Sequence, residues 1–168
     1  MKSGLRLGGR FDVVCKSPDG VEKWRESVHN LVVNAGLNYA LDASLSGGTP
    51  ITSWYVGLIN DSPTIAAANT MSSHAGWTEF TAYDEAARQA WTEAGPSSQS
   101  ITNSASTADF TISTNSSVIA GAFLTSDNTK SGTSGTLFAA AAFSADKNAD
   151  DGDTLSVTYT LSAADDGA

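Results

Sequence analysis

Two histidines, one cysteine and eighteen acidic side chains are the groups from which this chain would have to assemble a reactive centre. His29 and His74 lie far apart, neither belongs to an HxH or HExxH pattern, and Cys15 is the only thiol, so zinc ligands would have to be gathered from distant segments. No metal centre and no cofactor are expected. Gly132-Thr133-Ser134-Gly135 misses the G-x-S-x-G spacing of a nucleophile elbow and reads as a hairpin loop. No glycine-rich loop leads into Lys followed by Ser or Thr, which excludes a phosphate cradle for nucleotide hydrolysis.

Asp146-Lys147-Asn148-Ala149-Asp150-Asp151-Gly152-Asp153 comes closest to a ligand motif, because oxygen-bearing side chains at 146, 148 and 150 match the start of a calcium loop. The match then fails. The glycine comes one residue late, and the closing position is Val157 rather than Glu. A turn ahead of a strand at Thr154 explains these aspartates through bonds to nearby backbone amides, with a calcium site of another kind as the minor alternative. Glu79, Glu85 and Glu93, near Trp77 and Trp91, could supply two acids beside a sugar-stacking ring, but a glycosidase needs a carboxylate separation that spacing does not fix. Tryptophans in a chain of this kind belong more often to core or interface than to a sugar platform. No enzymatic activity is expected.

The elements that would position these groups are mostly strands. Arg10-Phe11-Asp12-Val13-Val14-Cys15-Lys16, the turn Ser17-Pro18-Asp19-Gly20 and the alternating Val21-Glu22-Lys23-Trp24-Arg25-Glu26 predict a hairpin over 10–26. Gly4, Gly8 and Gly9 make 1–9 a poor strand, so that stretch is expected to be a flexible arm ahead of one domain spanning 10–168. Asn34 as a cap, Leu37, Leu41 and Leu45 at i, i+4, i+8, and Gly47-Gly48 predict one short helix at about 35–46. Residues 51–59 are apolar on both parities, as in a strand buried on both faces. A long connection over 60–76 follows, then an alternating run over 77–83 and an ambiguous segment over 84–91. Further β-type runs fall at 99–103, 108–113, 117–125, 136–144 and 154–161. The fold expected is mainly β, an antiparallel β-sandwich of jelly-roll or Ig-like type. Its core is expected to hold Leu37, Leu41, Trp54, Val56, Leu58, Phe80, Phe110, Ile112, Ile119, Phe123, Leu137, Phe138, Phe143, Leu155, Val157 and Tyr159.

With 168 residues the chain has the size of one domain, and its charged fraction of 16% is too low for charge-driven disorder. No apolar run approaches the roughly 18 residues of a membrane span, and Met1-Lys2-Ser3-Gly4-Leu5-Arg6 lacks the apolar segment of a signal peptide, so the chain reads as soluble, unprocessed and without a membrane partner. A net charge of −9 disfavours nucleic acid. The bases Lys2, Arg6, Arg10, Lys16, Lys23 and Arg25 lie in the N-terminal part, whereas Asp146, Asp150, Asp151, Asp153, Asp165 and Asp166 lie near the other end. The two ends could pair between subunits, or serve only as a solvated surface.

Three segments go further: Asn30-Leu31-Val32-Val33-Asn34-Ala35-Gly36-Leu37-Asn38 with the helix after it, Ser73-His74-Ala75-Gly76-Trp77-Thr78-Glu79-Phe80, and the phrases from Gly121-Ala122-Phe123-Leu124-Thr125-Ser126 through Gly135-Thr136-Leu137-Phe138 to Asp151-Gly152-Asp153-Thr154-Leu155-Ser156-Val157-Thr158-Tyr159-Thr160. From about residue 10 onward the chain resembles small structural proteins of tailed bacteriophages, most of all capsid decoration or cement proteins. Head-fibre, tail-fibre and baseplate proteins use similar phrases. The resemblance implies a homo-oligomer made in the bacterial host cytoplasm that binds the major capsid protein on the virion surface and stabilises the head. Arg6 and Arg10 on the expected arm are the candidate capsid contacts. The alternative is a fibre or baseplate module that binds a receptor or glycan, with Trp77, Tyr83 and Trp91 as stacking residues and 60–76 as a variable rim.

Overall fold

The computed structural model describes residues 4–165. In chain order its elements are β1 (Leu5–Lys16), β2 (Glu22–His29), β3 (Leu31–Val32), helix α1 (Asn34–Leu41) running into a π-helical turn (Asp42–Ser46), β4 (Tyr55–Ile59), β5 (Glu79–Phe80), β6 (Gln89–Ala90), β7 (Ser100–Thr102), β8 (Ala108–Thr111), β9 (Ser117–Thr125), β10 (Leu137–Ala149) and β11 (Thr154–Asp165). One sheet has the order β2-β1-β11-β7, with β8 paired farther along β11. The other has the order β3-β10-β9-β4-β5, with β6 also on β4. The pairings are antiparallel. Facing side chains close a β-sandwich: Phe11, Val13, Phe110, Leu155, Val157 and Tyr159 meet Val56, Leu58, Ile119, Leu124, Phe138 and Phe143.

The hairpin follows from its residues. Gly20 takes a φ of 85°, where a side chain would be strained, and its N–H donates to the Ser17 carbonyl at 2.8 Å. The alternation of β1 then puts Phe11, Val13 and Cys15 inward. The strand begins earlier than expected, however. Residues 5–9 are not an arm: Gly8 pairs with Ser162 and Gly9 with Leu161, continuing the ladder to Leu5 and Asp165. Glycine weakens a strand, but an unbroken antiparallel partner supplies the missing bonds. Residues 1–3 of the expected arm lie outside the described residues.

Strand β4 is buried on both faces, as its two-parity apolar pattern implies. Its inner side joins the sandwich core, while Ile59 belongs to a second cluster with Val33, Met71, Trp77, Phe123, Leu137 and Ala140 on the outer side of the sheet. The 60–77 connection supplies that cover through Met71 and Trp77, so it is anchored rather than a free rim. Residues 51–54 lie outside the strand, and 84–91 hold no helix, only the two residues of β6.

Of the expected core, Val56, Leu58, Phe80, Phe110, Ile112, Ile119, Phe123, Leu137, Phe138, Phe143, Leu155, Val157 and Tyr159 are buried. Trp54 is half-buried against the core. Two expectations fail: Leu37 is 39% exposed and Leu41 57%, and Leu45 beyond them reaches 83%. The helix turns its other side inward. A Cβ on Gly36 would lie 2.2 Å from the Phe138 carbonyl oxygen, so only glycine allows this approach, and Tyr39 and Ala40 pack against the core beside it. The leucine stripe is left facing outward.

Candidate functional site

Trp77 and Trp91 lie in the core, as the favoured reading of the tryptophans expects, and Tyr83 lies there too, so none of the three stacking residues of the alternative reading faces solvent: Trp77 is 4% exposed, Tyr83 3% and Trp91 6%. The Trp77 indole donates to Asn69 Oδ1 at 3.1 Å, and its ring stacks on His74 at 4.0 Å. Trp91 donates to the Tyr159 carbonyl at 3.0 Å and meets the Tyr159 ring edge-on. Tyr83 packs edge-on against Phe110, with the Lys130 ammonium 3.8 Å from the centre of its ring.

Of the acids considered for glycoside chemistry, Glu79 and Glu85 are engaged in structural hydrogen bonds. Glu79 receives the Arg88 guanidinium in a two-pronged contact at 2.9 and 2.8 Å and also accepts from the Ser131 N–H at 2.9 Å. Arg88 itself is buried, donates to the carbonyls of Asp127 and Gly132 at 2.8 Å each, and lies 5.2 Å from the centre of the Phe123 ring. Glu85 accepts from the Thr111 N–H at 3.1 Å, and Glu93 lies on the rim of a surface groove. Sequence reasoning missed Arg88. The available signal was its isolation, since between Arg25 and Lys130 no other lysine or arginine occurs.

Of the Asp146–Asp153 segment, residues 146–149 are the end of β10, and only 150–153 form the expected turn ahead of β11, which is tied to the hairpin. Asp150 and Asp153 both accept from the Lys23 ammonium, at 2.9 and 2.6 Å, and Asp153 also takes the Asp150 N–H at 2.7 Å. Hydrogen bonds from the Ser116 N–H and then from Lys23 hold the Asp150 carboxyl below the usual carboxylate range. Among the described residues no three His, Cys, Asp or Glu side chains converge as metal ligands would. Buried Cys15 faces Asp153 with its thiol donating across 3.9 Å. Burial first, and then the negative charge of Asp153, push that thiol up to about 11. At pH 8 the native protein is therefore expected to react with iodoacetamide about 100-fold more slowly than the urea-unfolded chain, as followed by mass spectrometry. Equal rates in the two states would contradict the buried placement of Cys15.

Two surface features remain, on opposite sides of the first half of β1. On one side Leu5, Leu7, Ala40, Ile51, Trp54 and Leu161 line a groove of about 400 Å³. Leu41 and Leu45, on the same helix and turn as the groove-lining Ala40, Ala43 and Ser44, are 57% and 83% exposed, and Leu5 is itself 72% exposed. On the other side Arg6, Gly8 and Arg10 share a depression of about 420 Å³ with His29, Thr160 and Ser162. The two arginines expected to contact a capsid thus stand on a strand within a sheet.

No protein-family model matches the chain, and neither the curated proteins nor the solved structures include a significant match. Among the described residues no helix is long and apolar enough to cross a membrane.

Proposed function

We propose that this protein is a decoration protein of a tailed bacteriophage capsid, and that it docks on the major capsid protein through the apolar groove and the exposed Leu41 and Leu45. The observation that carries this reading is the uncovered apolar face. Leu5, Leu37, Leu41 and Leu45 stay in solvent, four of the six large apolar side chains exposed among the described residues, the other two being Val21 and Leu31. Contiguous exposed apolar surface on a small domain marks a place where another macromolecule sits. Covering one such leucine is worth about 1.5–3 kcal/mol, enough for several together to hold a subunit on a lattice. The resemblance read from the sequence points to a capsid as that lattice, and a role filled by surfaces suits a chain in which Glu79, Glu85, Asp150 and Asp153 are engaged by its own fold. The glycan-binding alternative has lost its aromatic platform to the core.

The test is to mix the full chain with capsid shells assembled without it, and to measure occupancy and the temperature at which shells rupture. The wild type is expected to bind and to raise that temperature. A Leu41→Asp/Leu45→Asp variant is expected to keep its own unfolding midpoint, because both positions are exposed, while its occupancy falls at least about tenfold. Failure of the wild type to bind removes the decoration reading. Unchanged binding by the variant removes Leu41 and Leu45 from it.

A further inference from the structure

We propose that the free edge of β1 over residues 5–9 takes up one added strand, an extended segment of a protein partner in which apolar residues alternate with acidic ones. The ladder between β1 and β2 ends at Arg10 and His29, and the Asn30 N–H then donates to the Gly9 carbonyl at 3.0 Å as the chain leaves this sheet for β3 in the other. In an antiparallel ladder successive residues turn their backbone groups to opposite neighbours. Gly9 fixes the parity, so odd residues of β1 face the β2 side and even residues face β11. The N–H and C=O groups of Leu5 and Leu7 therefore point past the end of β2, with no strand beside them among the described residues.

This edge lacks the usual guards against pairing. Residues 5–9 contain no proline, their register with β11 is unbroken, and their one charged side chain, Arg6, shares the outer face with Gly8 and Arg10. The inner face is apolar. The alternation that buries Phe11, Val13 and Cys15 puts Leu5 and Leu7 on that side, where they line the groove with Ala40, Ile51, Trp54 and Leu161. A strand laid along the edge would hold its inward residues against Leu5 and Leu7 at this groove, and would cover a leucine that is now 72% exposed. Strand addition uses this combination, with main-chain bonds for affinity and recesses for alternate side chains for choice.

Charge sets the other half of the added sequence. Its outward residues would lie beside Arg6 and Gly8, near His29 where β2 stops. Gly8 leaves that face open, since a Cβ there would meet nothing within 4 Å. Asp12 holds Arg10 at 2.8 Å, whereas Arg6 forms no ion pair among the described residues, so an outward Asp or Glu on the partner supplies the missing charge. A second copy of this chain does not. Any antiparallel pairing of two such edges centred on Arg6, Leu7 or Gly8 sets Arg6 of one copy opposite or diagonal to Arg6 or Arg10 of the other, and like charges so placed oppose pairing.

The test offers the immobilised full chain an mRNA-displayed library of random nine-residue peptides, and measures an enriched peptide by fluorescence anisotropy. Enrichment is expected for apolar residues at every second position with Asp or Glu between them. That peptide is expected to slow hydrogen exchange at the Leu7 amide, followed by NMR, at least about tenfold. Leu5→Pro removes an edge-facing N–H that the β11 ladder does not use, so it is expected to weaken binding about tenfold with the unfolding midpoint unchanged. Leu5→Ala keeps the N–H and is expected to weaken binding less. The proposal is overturned if no peptide is enriched, if the enriched sequences lack the alternation or carry Lys or Arg in the acidic places, or if the Leu7 amide keeps its exchange rate. It is overturned too if Leu5→Pro binds as the wild type does, or if Leu5→Ala weakens binding as much as Leu5→Pro. Sedimentation that shows the free chain paired with itself and Leu5→Pro monomeric would give the edge to a second copy and also overturn it. None of these measurements uses capsid shells, so the decoration reading stands or falls separately.

Discussion

Replacing Arg88 by alanine is expected to destabilise the protein by about 3–5 kcal/mol, measured as the loss of unfolding free energy in urea. The side chain is fully shielded from water and makes four hydrogen bonds: two to Glu79 and one each to the carbonyls of Asp127 and Gly132. Its removal leaves the Glu79 carboxylate, itself 7% exposed, without its cation in a low-dielectric setting. The loop around Asp127 to Gly132 loses its two side-chain bonds from Arg88 at the same time and keeps the Ser131 N–H bond to Glu79 and the backbone bond from Arg88 N–H to the Asn128 carbonyl. The size of the effect comes from stranding a charge and not from the net worth of the pair. The double replacement Arg88→Met/Glu79→Met is therefore expected to cost less than Arg88→Ala alone, since it removes both charges and keeps volume. A loss below about 1 kcal/mol for Arg88→Ala would mean that water reaches the pair.

This ion pair shows why part of the fold was legible in the sequence and part was not. Local signals worked where the deciding contact was local. Ser17 to Gly20 encode their own turn, and β9 at Ser117–Thr125 has the bounds that its apolar run predicts. Reading failed where the deciding partner was distant. Gly8 and Gly9 look unfit for a strand until β11, some 150 residues on, supplies the ladder. Leu37, Leu41 and Leu45 reveal a helix by their spacing, but which side is buried depends on the fit of Gly36 against Phe138. The candidate surfaces divide in the same way. Arg6 and Arg10 could be read as basic residues near one end, but their placement on one face of β1, on either side of Gly8, exists only once β1 is a strand. The apolar groove was invisible, because it joins β1, the helix, the segment before β4, and β11.

Trp91→Ala is expected to cost about 3–5 kcal/mol, the usual loss for truncating a buried indole, and to broaden or abolish cooperative unfolding near room temperature. The ring is 6% exposed, meets Tyr159 edge-on with centroids 5.6 Å apart, and donates to the Tyr159 carbonyl at 3.0 Å. Its backbone N–H also donates to the Trp54 carbonyl at 2.8 Å, which ties β6 to the segment before β4. Alanine keeps that backbone bond but opens a cavity against Tyr159, so the loss measures packing and the indole hydrogen bond together. Trp91→Phe refills most of the cavity without the donor and is expected to lie between alanine and wild type. This ordering separates a core residue from a ligand platform. A stacking tryptophan on the surface would lose ligand binding on truncation and leave stability within about 0.5 kcal/mol of the wild type. A Trp91→Ala chain with a wild-type unfolding midpoint would therefore return this ring to the surface, and with it the aromatic face that a glycan-binding module needs.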